Sequence, residues 1–179
     1  MAETPTSRIW SHRLLFAAVS LGIIFFSLVP INAVPSRWIP PDLLLALAFA
    51  WVARRPDFVP VWLIAIVFLL TDFLFQRPPG LWAAWVVIGT EILRSRTRSL
   101  RNSSLLLEWL TAAGIILVIF VGHRISLTIT FVPLPPLGRS LLQVGATILA
   151  YPLVAIVSHL FFGVKRTAPG EVDSFGHRL

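Results

Sequence analysis

Residues 105–122 read LLLEWLTAAGIILVIFVG, and Glu108 is the only charge among them. At about 1.5 Å of rise per residue a helix of this length reaches about 27 Å, close to the thickness of a bilayer's hydrocarbon core. A helix apolar on every face is either deeply buried or surrounded by lipid. Arg101 precedes the stretch and Arg124 follows it. It reads as a transmembrane helix.

Five further apolar runs surround it: Leu14 to Ile31, Leu43 to Ala53, Phe58 to Phe75, Leu81 to Leu93 and Leu141 to Val164. The whole chain is 56% hydrophobic and 13% charged, with a mean hydropathy of +0.83. A soluble domain carries about 25% charged residues. Half that supply does not cover a water-soluble globule, so a soluble enzyme is excluded. The expectation is an all-α membrane protein with about six spans. Residues 1–13 form a cytoplasmic N-terminal tail, 14–164 the six-helix domain and 165–179 a cytoplasmic C-terminal tail. The first run reads as a retained helix rather than a cleaved signal, since no A-x-A site follows it.

Two runs are short. Extended by their flanks they cover residues 38–54 and 78–94, about 25 Å each. They cross only with snorkelling flanks or local thinning; the alternative is that one of them is re-entrant. The basic residues speak to this. With six crossings and the N-terminus inside, the inner segments hold Arg8, Arg13, Arg54, Arg55, Arg94, Arg96, Arg98, Arg101, Lys165, Arg166 and Arg178. The outer ones hold Arg37, Arg77, Arg124 and Arg139. Positive charge favours the cytoplasmic side. Removing one crossing would move the Arg94–Arg101 cluster to the wrong face.

Pro40-Pro41, Pro78-Pro79 and Pro135-Pro136 each precede an outside-to-inside run. Proline is tolerated in a helix's first turn and holds the residue before it extended. Three hairpins with stiffened outer turns follow, with unequal spacing that argues for proline as a helix starter and against an internal repeat. After residue 122, Ile125, Leu127, Ile129 and Phe131 alternate with Ser126, Thr128 and Thr130. This reads either as an extended strand, able to pair with a partner's strand, or as a continuation of the helix. Trp10, Trp38, Trp62, Trp82 and Trp109 stand near run ends, as an interfacial aromatic belt does.

Carboxylates within apolar runs are the first candidates for function. Asp42 and Glu108 fall in first turns, where the helix dipole favours an anion. Glu91 falls at the end of its run, where Arg94 three residues on can pair with it. Asp72 is different. It lies near the end of its run, against the dipole, with no basic residue nearer than Arg77. It needs a partner from another helix, a wet pocket or a proton. His123 and His159 have no second ligand at metal-site spacing, and no cofactor motif or nucleophile–base pair is present. With no cysteine, disulfides and thiolate sites are ruled out. The basic segment Arg94–Arg101 lacks aromatic interleaving. It fits lipid headgroups, not nucleic acid.

Pro41-Asp42-Leu43-Leu44-Leu45, Trp51, Arg55-Pro56, Asp72 and Gly80-Leu81-Trp82 resemble the MreD family of bacterial rod shape-determining proteins, over roughly residues 40–95. Pro152 in the last run fits more loosely, and Phe68 stands where the family often carries glycine. The resemblance implies a multi-pass protein of the bacterial inner membrane, with both termini cytoplasmic and no catalytic activity or cofactor. It implies a fold like that of substrate-binding subunits of energy-coupling-factor transporters. The implied role is a scaffold of cell elongation and lateral peptidoglycan synthesis that binds MreC, with MreB and RodA as further members of the assembly. The residues singled out as structural or partner-facing are Pro41, Asp42, Asp72, Arg77, Gly80, Trp82 and Glu91. The competing reading is a small-molecule-binding transporter subunit. It requires Asp72, Glu91, Gln143, Tyr151 and His159 to converge on one cavity.

Overall fold

A computed structural model of the chain describes residues 5–29, 39–100 and 104–162. Every regular element among them is helical: α1 (Pro5–Leu28), α2 (Leu43–Arg54), a 3-10 turn over Pro56–Phe58, α3 (Val61–Leu74), α4 (Leu81–Leu100), α5 (Leu105–Ile129) and α6 (Leu137–Phe162). The apolar runs found in the sequence are the helices, with shifted ends. Three of them, α1, α5 and α6, are long and apolar enough to cross a membrane. α2 and α3 have 12 and 14 residues and reach only about 18 and 21 Å. α4 has 20 residues, but its last third is the arginine-rich segment.

α2 is the centre of the bundle. Leu44 through Arg54 are all buried, and the helix packs against α1, α4 and α6. Its backbone ends are closed locally. The Asp42 side chain accepts from the Leu45 N–H at 2.9 Å, and the Arg55 N–H returns to the Trp51 carbonyl. Trp51, fully buried, packs between Phe16 of α1 and Phe162 of α6 and donates to Ser158 Oγ at 3.2 Å. The outward faces of the other helices are lined with exposed leucine, isoleucine, valine and phenylalanine.

The three double prolines each sit immediately before a helix, α2, α4 and α6, as the sequence indicates. They mark one end of the bundle. The turn at Pro56–Phe58 marks the other, and it is gripped from three sides. His12 stacks on Phe58, Arg13 donates to the Asp57 carbonyl, and Arg94 donates to the carbonyls of Pro56 and Val59 at 2.8 and 2.7 Å. α1 begins at Pro5, so residues 5–13 of the expected N-terminal tail are helical. One expectation changes here. The Arg94–Leu100 segment continues α4, and Arg94 turns inward to hold a loop instead of facing headgroups. The tail at 165–179 and Trp38 lie outside the described residues.

The alternating segment after residue 122 is helix. α5 runs through it to Ile129, and Ser126, Thr128 and Thr130 are accommodated there by bonding their hydroxyls to carbonyls four residues back, which satisfies them without breaking the backbone ladder. α5 and α3 end in the same way. In α3, the Arg77 N–H returns to the Asp72 carbonyl and the Gln76 N–H to Phe73, with Gln76 at φ 53°. In α5, Val132 returns to Leu127 and Phe131 to Thr128, with Phe131 at φ 54°. This pairing needs a left-handed residue, a position usually held by glycine. A side chain there costs about 1 kcal/mol or more. Gln76→Gly is therefore expected to stabilise the fold by up to about 1 kcal/mol, read as a higher melting temperature in detergent.

Candidate functional site

The polar residues gather in three places. The first is the junction of α3 and α4 at the proline end. Asp72, fully buried at 0% exposure, sits in α3's last turn, where the carbonyl end of the helix disfavours an anion. Its partner comes from the next helix. Oδ2 accepts the Ala83 N–H of α4's first turn at 3.2 Å, and the amides of Gly80 and Trp82 lie close by. Asp72 thus serves as a cap for α4 across a turn, and the positive end of α4's dipole offsets the negative end of α3's. Oδ1 has no hydrogen-bond partner among the described residues.

The turn is built to hold this geometry. Gly80 stands at φ +80°, a conformation that suits glycine alone. Arg77 lies over the rings of Phe75 and Trp82, within 5.5 Å of each centroid. Trp82 in turn meets His123 of α5 edge-on at 5.0 Å. Asp72→Ala is expected to lower stability by about 1–2 kcal/mol and to raise amide exchange in α4's first turn. Asp72→Asn, which keeps an acceptor, is expected to recover most of that. Hydrogen exchange by mass spectrometry separates the two.

The second place is the bundle centre. Arg54 of α2 and Glu108 of α5 are 8% and 1% exposed and approach to 3.4 Å. The Tyr151 hydroxyl of α6 donates to Glu108 Oε1 at 2.9 Å, and Arg54 Nη1 donates to the Ala155 carbonyl. Three helices are tied at one point. The sequence places Glu108 as a first-turn anion and Arg54 as a boundary charge; the partnership between them is missed. Their separation of 54 residues leaves no local spacing signal, since each has its own adequate explanation at a run end.

The third is on α4. Glu91 pairs with Arg94 at 2.8 Å, as the spacing indicates. Its placement at a helix end is corrected: α4 continues to Leu100, so the pair is within the helix and extends the grip of Arg94 on the 56–59 loop. Pro41 and Asp42 close the N-terminus of α2, where the Asp42 N–H also donates to Thr147 Oγ1 of α6 at 2.8 Å.

No protein-family model, curated protein or solved structure matches this chain.

The site is thus defined by its own geometry. Asp42, Asp72, Arg77, Gly80 and Trp82 meet at the proline end, and Glu91 does not join them. Nor do the five residues that a transport pocket would require come together. Gln143 lines a cavity at the proline end, His159 is exposed, Tyr151 is bonded in the core, and Glu91 pairs with Arg94. The carboxylates serve to hold helix to helix and helix to turn.

Proposed function

We propose that the chain is a multi-pass membrane scaffold of the MreD type. In this reading six helices cross the bacterial inner membrane with both termini in the cytoplasm. The protein supports cell elongation and lateral peptidoglycan synthesis by binding MreC, alongside MreB and RodA, and it is not an enzyme. One observation carries the reading. The polar residues behind the resemblance work as joints: Asp42 caps α2, Gly80 permits the turn into α4, Asp72 caps α4, and the turn beginning at Pro56 is clamped by Arg94. A protein whose polar groups serve to fix helix geometry, under a broad exposed apolar surface, is suited to act by contact.

In this reading α2, too short to span alone, is tolerated because protein and not lipid surrounds it. The likeness to transporter substrate-binding subunits is part of the same proposal. So is the partner surface, which includes the turn from α5 into α6. There Phe131 is 95% exposed and Leu137 also faces outward. Photoreactive residues at Phe131, Leu137 and Leu81 in native membranes are expected to capture MreC or another wall-elongation protein. Capture of an ATPase-coupled transport subunit in its place would overturn the scaffold. So would unchanged rod shape and wall elongation after deletion of the gene.

A further inference from the structure

Four basic residues fall on the outer face in the six-span reading, against the general charge rule. Three of them, Arg77, Arg124 and Arg139, line a single chamber of about 660 Å³ at the proline end. Their convergence calls for a reason beyond orientation. They come from three elements, the α3–α4 turn, α5 and α6, so the fold brings them together and sequence proximity does not.

The chamber has both polar and apolar lining. Ser140, Gln143 and Thr147 of α6 line it beside the three arginines, while Leu45, Ile116 and Phe120 supply apolar wall. Asp42 is the lining carboxylate, so the arginines exceed it by two positive charges. Arg124 is aimed by hydrogen bonds to the Pro135 carbonyl at 3.1 Å and Ser140 Oγ at 3.3 Å. Arg77 is held against Phe75 and Trp82. No ion pair forms at Arg77, Arg124 or Arg139 among the described residues. His123 also lines the space, and its Nδ1 is buried without a hydrogen-bond partner among those residues. A volume of this order holds a headgroup-sized ligand, and pre-oriented guanidinium groups match phosphate oxygens in charge and geometry.

A second cavity of about 890 Å³, lined by fewer charged residues, shares Pro40, Asp42, Arg77, Trp82 and Gln143 with the first and runs between α1, α2 and α3. Val19, Ile23, Phe26, Leu44 and Phe68 line it. A basic chamber and an apolar channel with one common wall fit a molecule with an anionic head and a hydrocarbon tail.

We propose that the proline end binds an amphiphile whose phosphate head is net anionic, its phosphate among Arg77, Arg124 and Arg139 and its chain in the α1–α3 channel. The proposal requires only that this end meet a lipid phase. It does not rest on MreC, so loss of either proposal leaves the other standing.

The test is native mass spectrometry of the full chain released from nanodiscs containing equal phosphatidylglycerol and phosphatidylcholine, with inorganic phosphate titrated separately in detergent. Phosphatidylglycerol is expected to be retained at least tenfold over phosphatidylcholine. Arg139→Gln, on the exposed rim, and Arg77→Gln are each expected to reduce that preference at least threefold. Arg8→Gln at the other end should leave it unchanged. Arg139 forms no ion pair among the described residues, so Arg139→Gln keeps the test valid if Arg77→Gln unfolds. Equal retention of the two lipids would overturn the proposal, and so would an Arg8→Gln effect as large as that of Arg139→Gln. Inorganic phosphate that binds with the same arginine dependence while the lipid does not would reject the amphiphile and identify a soluble phosphate compound as the ligand.

Discussion

Glu108→Leu is expected to destabilise the bundle by about 3–5 kcal/mol. The substitution leaves the Arg54 guanidinium buried at 8% exposure with its carboxylate gone and the Ala155 carbonyl to face. A buried charge without its counter-ion has no water to fall back on. Tyr151 loses its bond to Glu108 at the same time. Arg54→Met in the wild-type background is also expected to be destabilising, since it removes the buried carboxylate's Arg54 partner. The double substitution Arg54→Met with Glu108→Leu removes both charges and restores apolar volume, and it is expected to recover most of the loss. Urea or thermal unfolding in detergent across the four proteins gives the coupling energy directly. Additive losses would mean that the two residues act through separate partners, and the tie between α2 and α5 would then be assigned wrongly.

What is legible in the sequence and what is not follows from the range over which each signal acts. The helices are visible because apolar length is written locally, and the double prolines fix three of their starts to within two residues. The Glu91–Arg94 pair is visible because three residues of helix set its distance. Asp72 shows its need for a partner from elsewhere, but the identity of that partner requires the turn through Gly80 to fold α4's first amides back onto it. Arg54 with Glu108 leaves no trace. The chamber is hidden for a related reason. Arg77, Arg124 and Arg139 stand in the sequence as exceptions to a charge rule, and only the packing of α4, α5 and α6 makes those exceptions neighbours. The segment after residue 122 is ambiguous because alternation of β-branched and hydroxyl residues satisfies a strand's period. In the fold it simply continues α5, with its hydroxyls satisfied by carbonyls of the preceding turn.

Gly122→Leu is expected to lower stability by about 3 kcal/mol, the upper part of the usual range for overpacking, and to loosen α4 from α5. The glycine lies directly under the Trp85 indole of α4, so a Cβ there would overlap the ring itself. A flexible neighbour could move aside, but Trp85 cannot do so cheaply, because its Nε1 is bonded to Ser126 Oγ at 3.0 Å. Gly89 repeats the arrangement in reverse, with α5's Ile119 filling the space that a Cβ would need. There the neighbour is the end of an aliphatic side chain, so Gly89→Ala should be milder. Small residues that let two helices approach are a recurrent source of association where the surroundings are as apolar as the helices. The control lies on the same helix. A Cβ added at Gly114 would meet nothing within 4 Å, and Gly114→Leu is expected to be neutral or to gain up to about 1 kcal/mol from helix propensity. If both substitutions shifted the unfolding midpoint equally, the effect would belong to helix chemistry, not to the α4–α5 contact. If Gly122→Leu alone shifts it, and Trp85→Ala in the same chain restores it, the interface between these two helices is set by one glycine and one indole. The position of His123, the next residue on α5, against Trp82 would then depend on that same contact.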